Sequence, residues 1–321
     1  MEGDVMLSKA LANDLEYIKL HKDELHVVDT NQRGILHYAV TGYAMDVIKY
    51  LLSIDYNVNQ VDIYGETPIF DAARKGYMDI ATLLIHNHAN VHITNRKGET
   101  LLHLAAFKGD IDNMKLYLEA KISPMLKTRE DKLPIHYAIS GGKNEAFQYL
   151  LKNTDIPFDY VDMYGNTFLH HAAKTSNLDV IKTCMKYKMN ANALNDQFET
   201  PLFNAVKFGT VETVHVLLNY DSYIEIKNRR YETVIDLAKI HDKTEILGAL
   251  RTYQITPKYE RLSKQQALSI AVLNRDHVYV RRLIENDVLQ RKDQFQLTAY
   301  DHAKMYGFQN IIALLKNYPV L

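Results

Sequence analysis

The side chains best suited to chemistry in this 321-residue chain are its 14 histidines, its single cysteine, Cys184, and the carboxylates near them. His86-Asn87-His88 and His170-His171 are the natural places to look for a metal, because neutral imidazole is a common ligand for zinc and its neighbours. Neither set is complete. Adjacent histidines on a helix point to different faces, and no third and fourth ligands follow at zinc spacing. A cysteine nucleophile would need a base and an exposed, low-pKa setting, and Val180-Ile181-Lys182-Thr183-Cys184-Met185 offers neither. No Gly-rich phosphate loop, G-x-S-x-G elbow or paired-acid motif is present. The expectation is therefore no catalytic residue, no metal ligand, no cofactor and no small-molecule substrate.

Four histidines are regularly placed, and their regularity leads to the elements that hold them. His37, His103, His136 and His170 close the segments Gly34-Ile35-Leu36-His37, Thr100-Leu101-Leu102-His103, Leu133-Pro134-Ile135-His136 and Thr167-Phe168-Leu169-His170. Related segments begin at Thr67, Thr200, Thr233 and Thr298. First positions at 34, 67, 100, 133, 167, 200 and 233 are 33 or 34 residues apart, and the gap of 65 to Thr298 holds one degenerate copy near Gln266 that supplies Ala271. Cys184 then falls in the slot of Leu84 and Leu217 and reads as a small core residue.

Residues 62–76 show why such a copy folds. Asp62 and Gly65 suit a tight turn, Thr67 reads as a helix N-cap, and Pro68 occupies the first helical position, where its missing N–H costs nothing. Ala72 and Ala73 leave room for a neighbouring backbone. After Gly76, a second helix sets Ile80, Leu83 and Leu84 on one face. One helix pair cannot bury that face alone, whereas stacked copies bury it against each other.

The period, the turn and the Thr-Pro-Leu-His-x-Ala-like core resemble the ankyrin repeat over nearly the whole chain. The resemblance implies an all-α solenoid of about ten helix-turn-helix units with short hairpin tips. It also implies that the repeated histidines hydrogen-bond to the neighbouring loop. Leu7 to Leu20 resembles an opening cap, and Ile311, Ile312, Leu314 and Leu315 would form the closing helix. Copy four carries Thr128, Asp131 and Leu133 in place of the turn and cap residues, which predicts an altered turn and an uncapped helix. Residues 251–265 lack the Asp-x-x-Gly-x-Thr element and read as an irregular loop. This gives an expected main stack over 1–254 and a sub-stack of two degenerate repeats over 255–321.

Charge and composition narrow the function. The 38 basic and 39 acidic residues nearly balance, which disfavours a nucleic-acid coat, although residues 251–321 carry net +5 and residues 1–250 net −6. One cysteine excludes a disulfide framework and points to a reducing, cytoplasmic setting; Met1 to Met6 has no signal-peptide character, and no run of eighteen apolar residues suggests a membrane span. What remains is the surface that stacking does not dictate, which in ankyrin-like arrays is the concave face. The expected partner-binding residues are the tip positions Ile63, Tyr64, Arg96, Lys97, Met163 and Tyr164, and the first-helix positions Arg74, Leu104, Phe107, Lys108, Tyr137, His171, Lys174, Lys207 and Phe208. Exposed aromatic and Arg side chains are what protein interfaces favour. The reading is a non-catalytic scaffold gripping a partner protein or peptide. The alternatives are a microbial effector- or immunity-type inhibitor of a toxin or host protein, and a binder of single-stranded nucleic acid through Arg96, Lys97, Arg229 and Arg230.

Overall fold

The repeated Thr-x-x-His segment begins a short helix wherever it occurs. In the computed structural model, which describes residues 2–286, 288–316, 318 and 320, the backbone of Thr67, Thr100, Thr167, Thr200, Thr233 and Thr298 is extended and helix starts at the next residue. The chain divides into two compact units, Met1–Ile156 and Pro157–Leu321.

The first unit holds five helix pairs. They are α1 (Glu2–Leu11) with α2 (Leu15–Leu20), α3 (Ile35–Thr41) with α4 (Met45–Ser53), α5 (Pro68–Lys75) with α6 (Met78–His86), α7 (Leu101–Lys108) with α8 (Ile111–Glu119), and α9 (Pro134–Ser140) with α10 (Asn144–Asn153). A 3-10 turn at Lys22–Glu24 follows the first pair. Each first helix packs on the next first helix, and its face is apolar: Ile69, Phe70, Ala72 and Ala73 of α5, and Leu101, Leu102, Ala105 and Ala106 of α7, are fully buried. Gly76 and Gly109 stop α5 and α7 in the left-handed conformation.

The second unit also holds five pairs, with one helix inserted. These are α11 (Phe168–Lys174) with α12 (Leu178–Lys186), α13 (Pro201–Phe208) with α14 (Val211–Asn219), and α15 (Val234–Ile240) with α16 (Thr244–Gln254). Then come the inserted α17 (Pro257–Gln265), α18 (Ala267–Leu273) with α19 (His277–Glu285), and α20 (Ala299–Met305) with α21 (Gln309–Leu315). Among the described residues the remaining backbone pairing is isolated bridges, such as Val28 with Gly34 and Val161 with Thr167. Both units are thus all-α and built of helix-turn-helix repeats, the fold class the resemblance implied.

His37, His103 and His170 make the bonds the resemblance implied. In the first unit, His37 Nδ1 accepts the Gly34 N–H at 3.3 Å, leaving Nε2–H to donate to the Glu66 carbonyl at 3.1 Å. His103 bridges the Thr100 N–H and the Lys132 carbonyl, both at 3.1 Å. In the second unit, His170 bridges the Thr167 N–H at 3.1 Å and the Glu199 carbonyl at 2.9 Å. Each carbonyl lies 29 residues onward, at the tip of the next copy. The tips also pair with one another: the Arg96 N–H donates to Tyr64 O and the Arg129 N–H to Lys97 O, both at 2.8 Å.

Three features differ from the sequence reading. Copy four keeps its turn, with Thr128 N–H bonded to Lys132 O, because Asp131 adopts the left-handed φ (60°) that Gly65 and Gly98 hold in the copies before it. Its helix does lack a side-chain cap at Leu133, as expected, and the Leu133 N–H donates to His136 Nδ1 at 3.0 Å. Residues 251–265 are not an irregular loop: α16 ends at Gln254 and α17 starts at Pro257, with Thr256 Oγ1 accepting the Tyr259 N–H at 3.2 Å. Thr256-Pro257 is the same start signal as Thr67-Pro68, detached from its turn.

The third difference lies on the outer face of α15. Phe203 and Val206 of α13 are fully buried, whereas the equivalent slots of α15 hold Asp236 and an exposed Lys239, paired with each other at 3.8 Å. The same substitution recurs in α20 as Asp301 and an exposed Lys304. In both helices the aspartate accepts from the backbone and hydroxyl of its own N-cap threonine. A face so altered gives a further copy no apolar surface to cover. Beyond α17, residues Leu268, Ala271, Val272, Val280, Leu283, Ala299, Ala303, Ile311 and Leu315 form a core cluster of their own.

Burial pushes His103 and His170 down to about 4, and lowers His37 as well. Their folded pKa lies below the unfolded value of about 6.5, so protons favour the unfolded chain and the stability they confer, full above pH 7, is lost as pH falls from about 6.5 to 4. Asp71, which burial pushes up to about 6, acts in the opposite sense. Urea unfolding at pH 7.5 and pH 5 is expected to show a loss of about 2 kcal/mol for each of His103 and His170. The His103→Asn/His170→Asn variant should be less stable at pH 7.5 yet lose less on acidification. Equal losses in the two proteins would contradict the neutral-imidazole assignment.

Candidate interaction surface

The slots four, seven and eight residues after each N-cap lie on one face of the first helix, turned away from its own second helix. In the first unit they hold Asp71, Arg74 and Lys75, then Leu104, Phe107 and Lys108, then Tyr137 and Gly141. Below them the tips offer carboxylates, with Glu66 and Glu99 in the position before the threonine and both buried.

These groups form one connected polar ladder. Arg74 Nη2 lies 2.7 Å from both Glu66 oxygens, and its Nη1 lies 3.6 Å from Asp71, which also accepts from Arg33 at 2.7 Å. Asn95 Nδ2 donates to Glu66 Oε1 at 2.9 Å and to Glu99 Oε2 at 2.7 Å, and the Tyr137 hydroxyl donates to Glu99 Oε1 at 2.5 Å. Burial acts to raise the Glu99 carboxyl, but the bonds from Tyr137 and Asn95 outweigh it and hold it below the ordinary range. Burial, then Glu99, pushes the Tyr137 hydroxyl up. Each carboxylate is therefore satisfied internally, and the helix-face side chains are fixed in place.

Above the ladder lies a groove of about 670 Å³, lined by Glu66, Arg74, Lys97, Glu99, Leu104, Phe107, Lys108, Tyr137, Gly141 and Lys143. Phe107 is 52% exposed and meets Tyr137 edge-on at 6.4 Å. A smaller hollow of about 330 Å³ beside it includes Tyr64, Arg74, Arg96 and Lys97, with Tyr64 54% exposed. Ile63 is half-buried, and its N–H is bonded to Asn31 O in the tip ladder. The groove thus combines an apolar floor, buried acids and a rim of Lys97, Lys108 and Lys143.

The remaining expected residues belong to the second unit. Met163 and Tyr164 stand 57% and 60% exposed on a tip. His171 Nε2 is 3.0 Å from Asp162, whose carboxyl is held well below its usual range: burial opposes this, and the bond to His171 with two backbone N–H groups prevails. Lys174 lies over the Phe208 ring at 5.3 Å, and Lys207 pairs with the buried Glu199 at 2.5 Å. Sequence reasoning did not pick out Glu66, Glu99, Asn95, Gly141 and Lys143. Glutamate does recur immediately before the N-cap threonine at 66, 99, 199 and 232, so part of that signal was present.

Among the described residues no group of three His, Cys, Asp or Glu side chains could hold a metal ion, and no helix is long and apolar enough to cross a membrane. Cys184 is buried, and burial pushes its thiol up, away from the reactive thiolate.

Stacked helix pairs with paired tips define a helix-turn-helix repeat protein. Models of the ankyrin-repeat family match residues 7–95 and 69–162 ("Ankyrin repeats (3 copies)") and residues 169–218 ("Ankyrin repeats (many copies)"). The chain belongs to the ankyrin-repeat family. It is similar to Ankyrin repeat and SOCS box protein 11 of Homo sapiens, at 28% identity over 119 residues, covering 37% of this chain and 36% of that protein. It is similar also to an L-asparaginase of Dirofilaria immitis, at 26% identity over 181 residues, covering 56% of this chain and 30% of that protein. The matched segments therefore span about a third of these relatives' length. Among solved structures, the ankyrin repeat domain of human ASB11 superposes with a TM-score of 0.61 at 26% identity, over 70% of this chain and 100% of that one. The ankyrin repeat domain of Bcl-3 shares the fold, with a TM-score of 0.54 at 21% identity.

Gly141 sets how closely α9 approaches α7, because a Cβ there would lie 2.1 Å from the Phe107 carbonyl oxygen. Gly141→Ala is expected to destabilise the protein by about 1–3 kcal/mol in urea unfolding, the usual cost of overpacking. Gly248→Ala, in α16 where nothing lies within 4 Å, should be neutral or stabilising by up to about 1 kcal/mol.

Proposed function

We propose that this protein is a non-catalytic scaffold that grips an extended segment of a partner protein, with the groove of the first unit as its principal contact. The observation that carries the reading is Phe107, held half-exposed over a fixed polar ladder and flanked by Lys97, Lys108 and Lys143. Leaving an aromatic ring in water gains the fold nothing, while its burial by a partner is favourable by about 1 kcal/mol for the half still exposed. With Glu66 and Glu99 already bonded internally, the lysine rim is the charge left to meet a ligand, so the fitting segment carries an apolar side chain flanked by carboxylates. Supporting this are the family membership and the interaction role general to ankyrin repeats. The activity named in the Dirofilaria relative is not carried over, because the match spans 30% of that protein at 26% identity.

Parallel affinity capture with wild type and with the Phe107→Ala/Lys97→Glu/Lys108→Glu variant tests the reading. Both proteins should share one circular dichroism spectrum. The wild type is expected to retain a partner whose affinity for the variant is at least tenfold lower. An identical set retained by both would refute the groove as the contact.

A further inference from the structure

The last two repeats do not continue the stack that α15 ends. In the second unit they are folded back onto the loops at 190–200 and 220–233 of the preceding repeats. Asn274, at the end of α18, accepts the Lys227 N–H at 2.8 Å and donates to Glu225 O at 3.1 Å. Arg275 donates to the carbonyls of Lys227 and Asn228, both at 3.1 Å, and its guanidinium lies 4.0 Å from the Phe198 ring centroid. The hydroxyl of Tyr306, after α20, accepts the Leu194 N–H at 2.7 Å. Phe308 adds an edge-on contact to Phe198 at 6.1 Å.

The loops at 190–200 and 220–233 mix aromatic and charged groups with buried apolar ones such as Leu194, Ile224 and Ile226. Phe198 holds a left-handed φ of 57° at its tip, a conformation costing a bulky residue on the order of 1–3 kcal/mol. At Phe198 that conformation presents the ring to Arg275 and also to Arg229, whose guanidinium is 5.0 Å away. The contacts to α18–α21 include hydrogen bonds, cation–π stacking and ring packing, and nine buried apolar residues between Leu268 and Leu315 form a core of their own, with Ile270 and Leu273 of α18 buried outside it. Both stacks end in the same Asp/Lys closure, and α17 joins them with only Tyr259 buried. A body with its own core can leave its footing without unfolding.

We propose that α18–α21 form a releasable intramolecular partner that occupies the loops at 190–200 and 220–233. Release frees a surface fitted to a polypeptide that presents a guanidinium to Phe198 and to the carbonyls of Lys227 and Asn228. This goes beyond the groove reading and does not depend on it, since every residue involved belongs to the second unit.

Native-state hydrogen exchange of the full chain tests the proposal. In the wild type, the Leu194 and Lys227 amides should exchange together and at least tenfold faster than the amides of Val206 in α13 and Ala303 in α20. In Arg275→Ala/Tyr306→Phe, both reporters should accelerate at least a further tenfold while Val206 and Ala303 keep their wild-type rates. Leu194 and Lys227 exchanging at the Val206 rate in the wild type would overturn the proposal without recourse to any variant. Equal acceleration of all four amides, or no acceleration of the two reporters, would also overturn it.

Discussion

A single constraint governs this molecule: a helix pair of some thirty residues has an apolar face it cannot cover and carbonyls at its neighbour's tip that must be bonded. One imidazole answers both needs. Its Nδ1 accepts the N–H that opens its own helix, and its Nε2–H reaches the carbonyl 29 residues onward, as in His37 to Glu66 and His170 to Glu199. Because that bridge requires a neutral ring, the joint between copies is dry and uncharged. The alanines beside it, Ala72 and Ala73 or Ala105 and Ala106, let the next helix approach.

The outward slots inherit their order from this joint. Once the first helices are fixed at the spacing that Ala and His dictate, residues on their free face sit above the tip carboxylates of the same and adjoining copies. Arg74 reaches Glu66, and Tyr137 reaches Glu99 across a copy boundary. The groove is therefore rigid before any ligand arrives, which lowers the ordering cost of association. In the second unit the equivalent positions of Lys207 and His171 are engaged by Glu199 and Asp162.

The parts legible in sequence were those fixed by short-range chemistry repeated many times. Thr-Pro starts, the glycine stops after α5 and α7, the alanine pair and the histidine bridge recur at a spacing of 33 or a multiple of it to within a residue, so the copies report on one another. The missed parts were single departures whose meaning depends on what stands next to them. Asp131 looked like a broken turn because its tolerance of positive φ belongs to backbone geometry. Asp236 and Lys239 kept the Thr-x-x-polar outline while reversing the polarity of the face they occupy. Likewise, the choice of Phe107 and Tyr137 as groove residues was readable from slot number, but the acids beneath them were not, since Asn95 and Glu99 meet Glu66 only through the stacking of copies.

The paired closures at Asp236/Lys239 and Asp301/Lys304 bear on how such a chain can change its copy number. A duplicated segment inserted between residues 67 and 100 would find hydrocarbon on both sides and be absorbed as one more rung. Inserted after Ile240, the same segment would meet an ion pair on one side and leave its own hydrocarbon wet. Lengthening by tandem duplication is thus tolerated inside the array and resisted at its closed end, so the polarity of two side chains acts as a ruler for the gene.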